Sequence, residues 1–459
     1  MRKVLILLIA LGLYSCKPLL EVNLMGIEEK NLIEGSYIID LKEDKFMPIL
    51  VEYQGSDFLK DTSELIKIES NKIQDIKELG EKYGLELKTE DILVYTSSVF
   101  YIENASPEVI KKMLKDTKNV SGVQQDFTIH DIRAKMQGSD PIPQDIRAKM
   151  QESGFGTEDI RAKMQELGYD LSNFSSLGVT YVGGGKNPVN PDSRIWIVDS
   201  GIDGSHHDFT GQFTSDKDKS WVDSSPDEEN PLIDYLGHGT HCAGLAAANA
   251  FNQTQPGNEG LIGMNGVSPG AQLVSLKVFA NDRTAKWNWL RFALEYAGKY
   301  ASESDVVSLS LGEMANCNSN GIKGQLESLS IKKVFVVMAA GNGENGIGVS
   351  ASGFLPGCVD GLNGVFTIGS MRQDYVFPTM PNYFSIFSNF GTVLDWVAPG
   401  EVIFSTFPGN SYAVSSGTSA ATAIVAGIIH ANGGEPEPFA TVIGPPGTST
   451  YRIGKRITP

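Results

Sequence analysis

From about Leu171 onward, five apolar runs, "RIWIVDSG", "AQLVSLKVF", "VVSLSLG", "KVFVVMAAGN" and "GVFTIGS", alternate with helical stretches such as "WNWLRFALEYAGKYAS". A strand with one wet face alternates apolar and polar residues; these runs are apolar almost throughout. Strands of that kind must be covered on both faces, which implies a parallel sheet between helical layers, an α/β architecture. The chain has 459 residues, 41% of them hydrophobic. That suffices for a large core and more than one domain. In open parallel sheets, ligand-handling residues collect at the carboxyl ends of the strands. The polar punctuation of this sequence lies at those ends.

Asp199 closes the apolar run in "IWIVDSGID". An aspartate there is ordinarily a turn residue. His238 stands between two glycines in "GHGTHCAGLAAAN", ahead of an alanine-rich helix. His241 follows three residues later, whereas zinc-binding histidines on a helix are commonly four apart, and no third ligand is apparent. No metal is therefore assigned. Asn342 ends "VFVVMAAGNG", where it reads either as an Asn-Gly turn or as an amide aimed at a developing oxyanion. In "SSGTSAATAIVAGII", Ser419 sits among hydroxyl residues that suit a helix N-cap. As a nucleophile it would need a base and an acid to orient that base.

The first half has a different texture. "MRKVLILLIALGLYSC" pairs a basic start with an apolar core too short to span a membrane, and so reads as an export signal. Its end, "LYSC", resembles a lipoprotein processing box with Cys16 as the acylated residue. Export implies a compartment that permits disulfides. Three cysteines remain after Cys16, enough for one bridge and one free thiol: Cys317 and Cys358 flank a strand-like run, and Cys242 lies in the alanine-rich helix. Residues 36–60 alternate as strand, Ile66 to Tyr83 reads as helix, "ILVYTSSVFYIENA" as strand, "PEVIKKMLKDTKN" as helix and "VSGVQQDF" as strand. This order predicts a small α+β domain over 34–130. "DIRAKMQ" then occurs at 131–137, 145–151 and 159–165, read as a spacer within a linker over 131–171. A formal charge of -17 argues against nucleic acid or an anionic membrane surface as partner.

"VDSGI", "GHGTHCAG", "SLSLG", "MAAGN" and "SGTSAA", in that order, resemble the subtilisin-like serine protease family, with its proteinase K-type branch as the closer likeness. The likeness runs from near Ser172 to Ala431. It implies a subtilisin-like three-layer parallel sheet over 172–459, with the residues after Ala431 as a short tail. It also implies that Asp199, His238 and Ser419 form a catalytic triad and that Asn342 serves the oxyanion. Ser310, Leu311 and Gly312 would pair with an extended polypeptide substrate and wall its primary pocket with Ala339, Ala340 and Gly341. Residues 34–130 would be an inhibitory prodomain, and Cys317 with Cys358 a disulfide. The expected protein is an exported, lipid-anchored, monomeric endopeptidase made as a self-processed zymogen. Its rival is a catalytically silent scaffold lipoprotein on the same fold. No cofactor is needed for catalysis. Structural calcium is common in the family, and the acidic "SDKDKSWVDSSPDEEN" at 215–230 offers oxygen ligands.

The sequence departs from the family pattern in two places. Ala420, Ala421, Thr422, Ala423 and Ile424 stand where Met-Ala-Thr-Pro-His is usual. Glu313 stands where a second glycine is common, which would place a negative charge beside the cleft.

Overall fold

The structure, a computed structural model, describes residues 22–23, 32–42, 44–52, 62–130, 168–170, 174–185, 192–222, 225, 227–250, 263–315, 317, 320–373, 382–445 and 447–457. The export signal with Cys16 and the three repeats lie outside the described residues.

The N-terminal domain runs β1 (Leu32–Leu41), α1 (Thr62–Tyr83), β2 (Ile92–Leu93), β3 (Val99–Ile102), α2 (Pro107–Lys115) and β4 (Val120–His130). Its antiparallel sheet has the order β4-β1-β3-β2, with Val22–Asn23 added beside β4. Ile39, Ile76, Leu79, Phe100, Met113 and Val123 form its core. Ser106 caps α2 by accepting from Val109 N–H, and Pro107 occupies the first turn, where its missing N–H costs nothing.

Two of the expected elements differ. Residues 48–52 read as strand but make a helical turn at Ile49–Glu52, because Pro48 starts it and Ile49 and Leu50 donate to Val94 and Tyr95 carbonyls. The single strand expected from Ile92 onward is broken at residues 94–98. There the backbone turns its N–H groups onto a carboxylate of the second domain, an acceptor that local periodicity does not reveal.

The second domain contains β5 (Arg194–Asp199), α3 (His238–Ala247), β6 (Gln272–Lys277), β7 (Thr284–Lys286), α4 (Trp287–Tyr300), β8 (Val306–Leu309) and β9 (Glu313–Met314). It continues with α5 (Asn320–Ile331), β10 (Phe335–Ala339), β11 (Phe354–Leu355), β12 (Val365–Arg372), β13 (Trp396–Pro399), α6 (Thr418–Asn432), β14 (Glu437–Ile443) and β15 (Thr450–Lys455). The main sheet has the order β14-β15-β13-β12-β10-β8-β5-β6, and β6, β5, β8, β10, β12, β13 and β15 all pair in parallel. Both faces are covered. Ile195, Ile197, Val306 and Val337 pack under α3 and α6, while Trp196, Val198, Val307 and Met338 pack under α4 and α5. That two-sided burial explains why the strands read as continuous apolar runs.

Described residues on either side of the boundary expected at 171/172 pack together. Tyr169–Asp170 pairs with Ser175–Ser176, and the buried Tyr169 donates its hydroxyl to the Gly263 carbonyl at 2.6 Å. The tail after Ala431 folds into the β14–β15 hairpin, which extends the main sheet.

The two domains meet along α4, α5 and β7. The end of β4 pairs antiparallel with β7, His130 opposite Thr284 and Thr128 opposite Lys286. Glu295 of α4 accepts from the N–H groups of Val94 (2.5 Å), Tyr95 and Thr96 (2.8 Å) and from the Thr96 hydroxyl (2.5 Å). Burial pushes the Glu295 carboxyl up, and these donors pull it back down. Arg291 reaches Asp40 at 3.3 Å and Lys299 reaches Glu69 at 2.5 Å.

Candidate active site

The chain runs from β5 to β6 on one side, then returns to β8 on the other. The carboxyl edge at β5 and β8 is therefore a topological switch point, where neighbouring connections diverge and leave a crevice. Asp199 ends β5 there. His238 begins α3, and its Nδ1 lies 2.7 and 2.9 Å from the two Asp199 carboxylate oxygens. A neutral ring so placed carries its proton on Nδ1 and leaves Nε2 as the base. The pair is buried, with Asp199 1% and His238 4% exposed, so its attraction is poorly screened.

The glycine ahead of His238 has a geometric cause. Gly237 has φ +75, and a Cβ on it would run into the Phe407 ring. Asp234 was not marked by the sequence, where it reads as one more loop acid. It is buried, and it accepts from the Ser200 hydroxyl (2.9 Å), Gly237 N–H (2.8 Å), Thr240 N–H (2.9 Å) and the Thr240 hydroxyl (2.7 Å). It thus ties the segment after Asp199 to the first turn of the His238 helix. Burial pushes its carboxyl up, and the Thr240 and Gly237 donors oppose the rise.

Ser419 lies in the first turn of α6, but the hydroxyl run around it does not cap the helix. Gly417 is the cap, without a side-chain bond of its own. The orphan N–H of Thr418 donates instead to Asn342 Oδ1 at 2.8 Å, and the Thr418 hydroxyl donates to the same oxygen at 2.9 Å. Two donors on one atom fix which way the Asn342 amide faces. Its Nδ2 is buried without a hydrogen-bond partner among the described residues. A Cβ built on Gly417 would stand 2.9 Å from Ser419 Oγ, 3.0 Å from Asn342 Nδ2 and 3.7 Å from Ser419 N. A hydroxyl, an unspent amide donor and a helix-start nitrogen therefore surround one small space, which only a glycine at 417 leaves open.

Ser310, Leu311 and Gly312 leave β8, and Ala340 and Gly341 follow Ala339 at the end of β10, so the two segments expected to wall a pocket do emerge side by side. Ser310 donates its hydroxyl to the Ser419 carbonyl at 3.1 Å, tying one wall to α6. Glu313 enters β9, which pairs with β11, and its carboxylate accepts from Met314 N–H. Cys242 is buried 4.0 Å from His238 Nε2 and 4.0 Å from the Ser419 carbonyl, and burial raises its thiol. The His241 Nε2 meets the Ile403 carbonyl at 3.1 Å.

Cys317 and Cys358 are disulfide-bonded across 41 residues, with Cα atoms 6.1 Å apart. Described acids of the 215–230 loop have hydrogen-bond partners. Asp218 accepts from Ser275 N–H, Asp227 from the Tyr235 hydroxyl, and Glu228 from Asn281 N–H. Among the described residues no three of its carboxylates converge.

A buried carboxylate–imidazole pair, a helix-start serine and an oriented amide donor at a parallel-sheet edge define the class of hydrolases that work by acyl transfer. A family model described as the subtilase family matches residues 192–431, just over half of the chain. Thermitase from Thermoactinomyces vulgaris is 33% identical over 236 residues, covering 51% of this chain and 73% of thermitase. Subtilisin amylosacchariticus from Bacillus subtilis subsp. amylosacchariticus is 33% identical over 234 residues, covering 51% of this chain and 53% of its own length. Among solved structures, fervidolysin from Fervidobacterium pennivorans, described as a keratinolytic enzyme related to subtilisin, superposes with a TM-score of 0.58. That match covers 90% of this chain and 56% of fervidolysin at 17% identity, and it bears on the fold alone. The chain belongs to the subtilase family of serine proteases.

Proposed function

We propose that the protein hydrolyses peptide bonds through Asp199, His238 and Ser419 and is made as a self-processed zymogen. The observation that carries this reading is the Asn342 amide, held by Thr418 with its Nδ2 unspent beside Ser419 Oγ. His238 Nε2 takes the Ser419 proton as Oγ attacks the scissile carbonyl. Asp199 holds the ring's orientation and stabilises the imidazolium that forms. Asn342 Nδ2 and the Ser419 N–H receive the oxyanion, and an amide fixed in advance needs no reorganisation when charge develops. His238 then protonates the leaving amine, and water, activated by the same ring, releases the acyl group from Ser419. An extended polypeptide suits the edges at β7 and at residues 310–312, which offer backbone pairing with little demand on sequence.

The N-terminal domain acts as inhibitor in this reading. Its last strand already pairs with β7, so it occupies an edge an incoming substrate would use. A domain tethered on the same chain is present at high effective concentration, and cutting the tether lets it leave. The cut falls between about Phe127 and Ser172. The protein is exported and anchored through a lipid on Cys16, and works as a monomer. No helix among the described residues is long and apolar enough to cross a membrane.

Expression of Ser419→Ala beside the native chain tests the proposal. The native chain should lose its N-terminal domain and digest an unfolded protein substrate. The variant should persist at full length less its signal, without activity. A variant processed like the native chain would overturn self-processing, and retained hydrolysis would overturn the serine's role.

A further inference from the structure

Strands β8 and β10 are paired neighbours, and Leu309 opposite Met338 is their last register before the two walls diverge. The gap between the walls is not open. A Cβ built on Gly312 would stand 2.7 Å from Cζ of Phe354, and one on Gly341 would stand 2.8 and 2.9 Å from Cδ2 and Cε2 of the same ring. Gly312 faces the Cε1–Cζ edge of the phenyl group and Gly341 its Cδ2–Cε2 edge, so one ring abuts both walls. Both flanking positions lack side chains, which is what gives the ring its room. Phe354 is 6% exposed and forms a small apolar cluster of its own with Ala339. Its backbone is held by pairing with Met314.

The position of this ring matters because Gly341 directly precedes Asn342. With residues 310–312 and 339–341 taken as the walls of the primary pocket, the substrate residue whose carbonyl oxygen meets Asn342 Nδ2 directs its side chain between them, beside Gly341. The Phe354 ring stands there. The geometry points to Phe354 as the residue that sets specificity: it fills the primary pocket and restricts the residue before the cut to glycine, alanine or serine. The inference rests on the proposed catalytic reading, because it takes Asn342 as the oxyanion donor. A large side chain would have to displace a buried ring or stay outside. A change of one methylene in an apolar pocket is worth about 10–200-fold in kcat/KM, and a phenyl or isobutyl group exceeds that difference.

The test uses mature protein from the full chain, with active sites counted by a fluorophosphonate probe. Cleavage sites in a denatured protein mixture are then mapped by mass spectrometry for the native chain, Phe354→Gly and Phe354→Leu. The native chain should cut after Gly, Ala or Ser at least about tenfold more often than after Phe, Tyr or Leu. Phe354→Gly should gain about tenfold or more after the large residues for each labelled site, and Phe354→Leu should fall between. Native preference for large residues would overturn the proposal, as would an unchanged profile in a variant that labels. The native profile decides the matter even if Phe354→Gly does not fold. A native chain that folds but neither labels nor cuts overturns the catalytic reading itself, and this proposal with it.

Discussion

Replacing Glu295 with alanine should weaken the grip between the two domains by roughly 10²–10³-fold. In the native structure one carboxylate serves three backbone N–H groups, of Val94, Tyr95 and Thr96, and the Thr96 hydroxyl. Glu295 is buried at the contact, so truncation leaves those N–H groups facing apolar surroundings. Each orphaned donor costs about 1–3 kcal/mol, but such losses do not add, because the 94–96 segment relaxes as a unit. Removing one partner of a buried, hydrogen-bonded charge costs about 2–5 kcal/mol, and the middle of that range converts to the stated change at about 1.4 kcal/mol per decade. Neither Arg291–Asp40 nor Lys299–Glu69 should compensate: Glu69 accepts from the Tyr95 hydroxyl and Lys299 lies over the Tyr95 ring, but neither pair gives the three N–H groups an acceptor. The assay is inhibition of the mature protein by its own cleaved N-terminal domain, read from peptide hydrolysis. Glu295→Gln, which keeps an acceptor oxygen without charge, should fall between native and alanine. A loss under about threefold in Glu295→Ala would mean that the turn finds other acceptors or water at no cost and that Glu295 does not hold the domains together.

Asn342→Ala should lower turnover by about 10²–10³-fold with KM nearly unchanged, and steady-state kinetics that show only a raised KM would contradict the oxyanion role. Opening the Cys317–Cys358 bridge closes off a 41-residue constraint, so the Cys317→Ser, Cys358→Ser double variant should lose about 4 kcal/mol in denaturant unfolding. Free labelling of both thiols in the unreduced native protein would remove that expectation. Acid should also destabilise the fold through His206, which burial pushes down to about 4. Near neutral pH the ring is uncharged in both states; below about 6.5 the unfolded chain takes up a proton that the folded chain refuses until about 4. Stability therefore falls across that window by about 3 kcal/mol, and His206→Gln should flatten the loss in unfolding measured at successive pH values. An equally steep loss in the variant would assign it to other groups.

The sheet was legible because its strands are buried on both faces, and part of the candidate site was legible because several of its residues stand where those strands end. Asp199, Asn342 and the walls at 310–312 and 339–341 each follow an apolar run, so locating the strands located them. Contacts made across long separations were not legible. Asp234 looks like any loop acid until the fold brings Ser200 and Thr240 to it. Glu295 sits on a helix whose pattern predicts burial or exposure, not an acceptor for a turn some 200 residues earlier. Phe354 has the opposite difficulty: one phenylalanine in a short strand carries no signal until Gly312 and Gly341 are seen on either side of its ring. The hydroxyls around Ser419 misled in a different way. They suggested a self-capped helix, whereas Asn342, just past the end of β10, accepts the orphan N–H of Thr418, and that borrowing is what aims the amide.

Ser419 acting as a nucleophile activated by His238 has one direct chemical test. Mature protein incubated with a fluorophosphonate and digested should yield one modified peptide, with the adduct on Ser419. The same treatment of His238→Ala should give little adduct although Ser419 remains. An adduct on another serine, or equal labelling of Ser419 without His238, would contradict the account.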